Sequence, residues 1–295
     1  MNYQIEATYN LSSAMTSLTY PGNGTNRRTA SFTMDAAGRL ASLSSSSISY
    51  GKGNTFPAAS VSSITYTPQG GMSSQTLGNS LPHAIAYNAR FQPTSIQLGS
   101  SGSTMSLGYA YGTSTANNGN ISQITYSGGG TSFTQDFTYD ELNRLATSQE
   151  NSGSSWTQTN GYDRYGNRTV TAGSGTALTF NTSNNRITTS GFTYDNSGNV
   201  TVDPSHSYTF DGENKILKLD STTAYAYDGD GKRVRKFVGE NTRFIYGIGG
   251  ELLAEYNGST GAIQKEYIYG ASGLLATVES GLTQYLTTDH LGSPR

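Results

Sequence analysis

Three histidines, His83, His206 and His290, are the side chains in this 295-residue chain suited to proton transfer or metal ligation near neutral pH. They lie far apart in sequence, without the converging set of ligands that a metal site needs. His290 beside Asp289 raises a general-base pairing, against the simpler reading that both belong to a structural motif. Cysteine is absent, which removes thiol nucleophiles, thiolate metal sites and disulfides. Asp228-Gly229-Asp230-Gly231 begins like a calcium loop, but Lys232 and Gly239 stand at the fifth and twelfth positions, where that loop needs an oxygen ligand and a glutamate. We read it as a turn, and Asp203-Pro204 likewise. No G-x-S-x-G elbow, P-loop or G-x-G-x-x-G fingerprint occurs. Paired acids for glycoside hydrolysis depend on a separation in space that sequence does not give. The expectation is a chain that is not an enzyme and carries no cofactor and no metal.

The composition narrows the class further. Hydrophobic residues make up 34% and charged residues 13%, both below the usual share. Ser and Thr together fill roughly a quarter of the positions, far above ordinary usage. Aromatics reach 11%, mostly tyrosine, so the low charge does not mean disorder. Strand formers abound and no long segment carries apolar residues at helical spacing, so the chain is expected to be all-β. No run approaches the ~20 apolar residues of a membrane helix, and the N-terminal stretch does not read as a secretory signal. A net charge of −2 leaves no electrostatic footprint for nucleic acid or an acidic membrane surface.

One unit recurs. An aromatic, a spacer and a second aromatic lead to Asp, then two variable residues, then Gly or Asn. It reads Phe137-Thr138-Tyr139-Asp140 to Asn143, Tyr162-Asp163 to Gly166, and Phe192-Thr193-Tyr194-Asp195 to Gly198. Further copies are Tyr208-Thr209-Phe210-Asp211 to Asn214 and Tyr225-Ala226-Tyr227-Asp228 to Gly231. Weaker copies run from Asp35 to Gly38 and from Phe180-Asn181 to Asn184, and looser ones sit at Tyr9, Tyr66, Tyr87, Tyr111, Tyr246 and Tyr269. Aromatics two apart share one face of a strand. Asp at the strand end starts a turn by accepting from nearby backbone N–H groups. The Gly or Asn supplies the left-handed residue that ends a common hairpin loop. Each unit is therefore a strand–turn–strand hairpin, and the whole a ribbon of antiparallel hairpins. We divide it into degenerate repeats over 1–135, where only seven residues are charged, and regular repeats over 136–278. Residues 279–295 form a distinct ending. Arg144, Arg168, Arg186, Lys215 and Arg233 follow the turns and are expected to pair with Asp residues of neighbouring repeats. The repeat tyrosines are expected to stack as an aromatic ladder, with sugar binding the other use for such rows, and Trp156 is the candidate exposed contact residue.

The Tyr-Asp-x-x-Gly-Asn pattern at 162–167 and 194–199 resembles the YD-repeat, or RHS-repeat, family. The ending Asp289-His290-Leu291-Gly292-Ser293-Pro294-Arg295 is similar to the opening of the RHS-repeat-associated core and is the most specific signal in the chain. The resemblance implies a hairpin ribbon that curves into a spiral shell or partial cocoon. It implies a non-enzymatic structural role, enclosing or presenting a toxin polypeptide in a bacterial RHS-type system, in a secreted or cell-surface setting. Family shells are several times longer, so this length corresponds to a strip with open ends, and the stretch stops where the core motif would continue. The implied partners are the remainder of such a shell or an encapsulated toxin domain. The alternative is an extracellular adhesin or self-assembling module that forms homo-oligomers or filaments through open strand edges, with a cell-surface glycan as a further partner. Neither nucleic-acid binding nor membrane insertion is expected.

Overall fold

The computed structural model describes residues 3–22, 26–50, 55–113, 115–152 and 155–295. Within them the backbone is strand and turn, with one short 3-10 segment at Ser100–Gly102 and no α-helix. Fourteen strands from Gln4–Tyr9 to Arg168–Gly173 pair in chain order in one antiparallel sheet. Only the small pair Ile48–Ser49 and Thr55–Phe56 is set aside from that order. Nine more strands, from Tyr208–Phe210 to Leu282–Tyr285, again pair in chain order, and Thr193–Tyr194 pairs with Val200–Val202 by itself. Within each sheet the strands thus pair in chain order, which is the ribbon of hairpins expected from the repeat.

The hairpins share a defect. Among the described residues, eight of them slip in register just before the turn, between Thr8 and Tyr9, Thr33 and Met34, Thr65 and Tyr66, Thr138 and Tyr139, Thr193 and Tyr194, Ala226 and Tyr227, Ile245 and Tyr246, and Ile268 and Tyr269. Such bulges add one residue to one strand and increase the local twist. Their repetition at one place makes the twist a property of the repeat itself.

The chain forms two compact units, Met1–His83 with Phe210–Arg295, and Ala84–Thr209. In the second, Ile96, Met105, Leu107, Tyr109 and Tyr111 are buried together, with Ile85, Leu98, Ile121, Ile124 and Tyr126 packed around them. In the first, Tyr20, Leu43, Phe56 and Val61 from the N-terminal strands are buried, as are Leu253, Ile268 and Val278 from the C-terminal strands. Among the contacts that join these two stretches is a wholly buried ion pair. The Arg28 guanidinium meets the Glu266 carboxylate at 2.8 Å, and both side chains have no exposed surface. Arg28 Nη1 donates to Ser45 Oγ at 3.0 Å and to the Ser46 carbonyl at 2.7 Å, and Nη2 to the Phe56 and Pro57 carbonyls at 3.3 and 2.9 Å. Tyr50 donates to the other Glu266 oxygen at 2.8 Å. Tyr20 donates across to the Tyr267 carbonyl at 2.9 Å, and Tyr256 to that of Pro21. A buried charge is tolerated only when paired and fully hydrogen-bonded, and this one is both.

Candidate functional site

The recurring unit is the turn. In the Asp140 hairpin the Asp140 N–H donates to the Arg144 carbonyl at 2.9 Å, and the Asn143 N–H donates back to the Asp140 carbonyl at 2.9 Å. Asp140 Oδ1 accepts from the N–H groups of Leu142 and Arg144, both at 2.9 Å, and Oδ2 accepts from Arg144 Nε at 2.7 Å. Asn143 closes the loop with φ of 60°. The same circuit forms at Asp35, Asp163, Asp195, Asp211 and Asp228, with positive φ at Gly38, Gly166, Gly198, Asn214 and Gly231. The loop beginning at Asn181 differs: its left-handed residue is Asn185 and not Asn184, because this turn is one residue longer, with Asn185 N–H donating to the Asn181 carbonyl.

The Asp203 carboxylate caps its own turn, accepting from Ser205 and His206 N–H groups and from the Tyr208 hydroxyl at 2.7 Å. Asp228 Oδ1 accepts from the N–H groups of Asp230 and Lys232, so the calcium-like stretch is a turn.

The ending Asp289–Arg295 is one more copy of this turn. Asp289 N–H donates to the Ser293 carbonyl at 2.9 Å, Gly292 N–H returns to the Asp289 carbonyl at 3.0 Å, and Gly292 has φ of +85°. Asp289 Oδ1 accepts from Leu291 and Ser293, while Oδ2 takes Arg295 Nη2 at 2.6 Å, six residues on instead of four. The pairing Thr288 with Pro294 closes the hairpin, and Leu291 projects from its tip, 80% exposed. The Asp289 carboxylate is thus occupied by its own turn. His290 is held below its ordinary pKa chiefly by burial.

Sequence reasoning missed what the tyrosines do. In seven repeats the last aromatic before the turn reaches back to the preceding hairpin and donates its hydroxyl to a backbone carbonyl there. Tyr66 donates to Leu40 at 2.8 Å, Tyr111 to Pro93 at 2.9 Å, Tyr139 to Ile121 at 2.8 Å and Tyr162 to Leu145 at 2.9 Å. Tyr227 donates to Ile216 at 2.9 Å, Tyr246 to Arg233 at 2.8 Å and Tyr269 to Leu252 at 3.1 Å. Tyr194 accepts instead, from the Ile187 N–H at 2.8 Å. In six of these the acceptor stands five residues past the first residue of the previous turn, so the fixed Tyr-Asp spacing sets the reach. Phe210 and Met34 occupy the same place and have no hydroxyl.

The expected aromatic ladder is therefore corrected: the contact recurring from repeat to repeat is a cation over a ring. Arg39 lies over Tyr66 at 4.4 Å, Arg144 over Tyr162 at 4.3 Å, Arg186 over Tyr194 at 5.1 Å and Lys232 over Tyr246 at 5.5 Å. Each cation comes from the previous turn, so hydroxyl and ring both bond backwards. The expected pairing of these cations with Asp of neighbouring repeats is also corrected. Arg144 pairs with its own Asp140 at 2.7 Å, and Lys215 with Glu213. Arg168 donates to Asn160, Arg186 to the Asp195 carbonyl, and Arg233 lies over Tyr225 and Phe244. Trp156 is half-buried, its indole N–H donating to Glu150 at 3.3 Å. Among the described residues no group of three His, Cys, Asp or Glu side chains is placed to hold a metal ion.

The carboxyls of Asp35, Asp140, Asp163, Asp195 and Asp211 lie below their ordinary pKa of 3.8. For Asp35 and Asp140 the largest cause is the N–H of the arginine four residues on, followed by its side chain; for Asp163 and Asp195 it is the side-chain amide of Asn167 and Asn199. A carboxyl lowered in the folded state contributes stability that is complete above its unfolded pKa and lost as pH falls through the folded one. Urea midpoints measured from pH 7 to 2 are therefore expected to hold steady and then drop below about pH 4. Asp35→Asn with Asp140→Asn, which keeps an oxygen acceptor without the titration, should flatten that drop.

The repeated turns and locks are features of architecture, and the family comparison points the same way. The family model Teneurin YD-shell matches residues 115–295. The chain belongs to the YD-shell family. The YD-shell fold is also shared with solved structures at low identity. The structure described as TcdB2-TccC3 without hypervariable C-terminal region aligns at a TM-score of 0.69 and 17% identity, over 99% of this chain and 17% of that one. TcdB2-TccC3 aligns at 0.65 and 16% identity, over 99% and 20%. Two curated proteins are similar to this YD-shell chain in sequence. A tRNA3(Ser)-specific nuclease WapA of Bacillus spizizenii is 30% identical over 159 residues, 48% of this chain and 7% of that protein. The tRNA nuclease WapA of Bacillus subtilis is 30% identical over 151 residues, 46% and 6%. The chain thus spans well under a tenth of the length of these relatives. No helix among its described residues is long and apolar enough to cross a membrane.

Proposed function

We propose that this chain is non-enzymatic wall of a YD-repeat β-shell, one that encloses or presents a toxin polypeptide in a bacterial RHS-type system, secreted or at the cell surface. The observation that carries the reading is the lock. Successive hairpins are tied by strand pairing, in seven places by a tyrosine hydroxyl donating backwards and in four by a cation over a ring, as at Tyr162, which spends polar side chains on continuity of the wall. On this reading residues 1–135 are worn repeats, 136–278 regular repeats and 279–295 the start of the associated core, and the partners are further shell segments and the enclosed polypeptide. The names of the curated relatives describe nucleases, and the match covers 7% and 6% of those proteins. This fits a wall segment shared with nuclease-bearing proteins, the nuclease lying elsewhere in them.

The test has two arms. Purified chain incubated with total tRNA should leave it intact; cleavage that disappears when single carboxylates are replaced would overturn the non-enzymatic reading. The source reading frame should continue these repeats and carry a domain of unlike composition, protected from protease until the shell is cut. The second reading, self-assembly, is favoured by the strand Gln4–Tyr9, which has a hydrogen-bonded neighbour on one side only in its sheet. Light scattering across a tenfold concentration range separates the two: growth of the particle with concentration supports assembly, and a constant monomer supports wall.

A further inference from the structure

A cavity of about 260 Å³ lies in the unit Met1–His83 with Phe210–Arg295, and its walls include three tyrosines, Tyr3, Tyr50 and Tyr256, with Asn26, Thr260 and Ala262. None of these belongs to the turn-to-turn locks. The Tyr3 and Tyr256 rings meet at 4.6 Å, tilted by 49°, and Tyr50 stands edge-on to Phe56 at 5.2 Å. Tyr50 donates its hydroxyl to Glu266 and Tyr256 its own to the Pro21 carbonyl, so these two residues give the cavity ring surface and not a hydroxyl donor. Polar capacity comes from Asn26 and Thr260. The Asn26 amide N–H is bonded to the Ser49 carbonyl, which leaves the Asn26 carbonyl oxygen for other donors. Thr260 Oγ1 accepts from the Ala262 N–H at 3.2 Å and keeps its own O–H to donate.

The charge on the walls chooses among ligands. Aromatic cages also take quaternary ammonium cations. Among the described residues lining the cavity none is charged, and the nearby Glu266 is buried and paired with Arg28 at 2.8 Å. Its described walls thus offer tyrosine rings, a hydroxyl and an amide oxygen. We infer that this cavity is a binding site for a single neutral sugar ring, its C–H face laid on the tyrosines and its hydroxyls meeting Asn26 and Thr260. The volume falls just below the ~300 Å³ at the small end of ligand pockets, which suits one ring and not a buried oligosaccharide. A ligand of that size at ordinary efficiency binds with a Kd on the order of 1 mM. The inference is independent of enclosure: a wall with a sugar site and a wall without one are equally continuous.

The experiment is saturation-transfer difference NMR on the full chain with methyl glucoside, galactoside, mannoside and N-acetylglucosaminide, with choline as the cationic probe. At least one glycoside should receive transfer, strongest on the C–H protons of one ring face, and choline none. Ala262→Phe, at an exposed position on the rim, should plug the cavity and reduce transfer to the blank while the melting temperature stays at that of the parent. Tyr3→Ala, which removes one ring and leaves the Arg28–Glu266 pair untouched, should do the same and serves as the comparison if the first variant melts early. Absence of transfer from every glycoside would overturn the inference. So would transfer undiminished in both variants, or transfer to choline alone.

Discussion

Arg28→Met is expected to cost about 3–5 kcal/mol of stability at pH 7, the range for removing one member of a buried ion pair. The loss is large because of what stays behind. Glu266 has no exposed surface and keeps only the Tyr50 hydroxyl as partner, while the carbonyls of Ser46, Phe56 and Pro57 lose their donor. The size of the loss should depend on pH. Burial pushes the Glu266 carboxyl up from its ordinary value of 4.5, and Arg28 is the main group pulling it back. Without Arg28 the folded pKa rises further. A raised carboxyl stabilises the fold below its unfolded pKa, and that contribution disappears as pH climbs through the folded one. The deficit of Arg28→Met relative to the parent should therefore be greatest at neutral pH and shrink as pH approaches 4.5. Adding Glu266→Gln, which replaces the stranded carboxylate by a neutral amide, should recover part of the loss at pH 7 and remove its pH dependence. Urea unfolding of the two variants and the parent at pH 7 and 5 measures all of this. A deficit that is equal at both pH values would mean that Glu266 is not the group left stranded.

The same pair marks the limit of what sequence reveals. Arg28 and Glu266 stand 238 positions apart, and neither residue type announces burial. Only the return of the C-terminal strands onto the N-terminal ones in that unit brings them together. The hairpins, by contrast, are written locally. A left-handed backbone residue costs little for Gly or Asn and much for others, so Gly166, Gly198 and Asn143 disclose their turns from sequence alone. Where the rule is broken, the signal fades. Ser13 and Phe91 take φ of 60° and 68° in turns that begin at Asn10 and Asn88. Phe91 is kept there by its ring, stacked on Tyr87 at 5.2 Å, a contact that no turn preference encodes. These turns lie in the stretch 1–135, which is why that half reads as eroded while its backbone makes the same circuit. The tyrosines were legible as face-sharing residues but not as donors, since the carbonyl each one meets belongs to the previous hairpin. The ending was legible as a motif, and its turn could have been found by placing Asp289 and Gly292 at the spacing of Asp163 and Gly166.

The lock itself can be weighed. Tyr111→Phe, Tyr139→Phe and Tyr162→Phe each delete one hydroxyl and leave the ring, so the cation of Arg144 over residue 162 is retained. Each orphaned carbonyl and lost bond should cost about 0.5–1.5 kcal/mol. The three sites sit on strands at least two pairings apart, a separation of about 10 Å, at which effects add to within a few tenths of a kcal/mol. The triple variant is therefore expected to lose about 3 kcal/mol, measurable as a shift of the urea midpoint. Its effect on hydrogen exchange separates a lock from an ordinary stabilising contact. If each hydroxyl ties a hairpin to the one before it, protection should fall first along Pro93–Leu98 and Leu145–Glu150, the strands that carry the Pro93 and Leu145 acceptors. Uniform loss of protection across Ala84–Thr209 would instead make the tyrosines generic contributors to that unit's stability. The distinction matters for a wall. A generic contribution is shared over the whole unit, whereas a lock confines an opening to one seam and leaves the hairpins on either side closed.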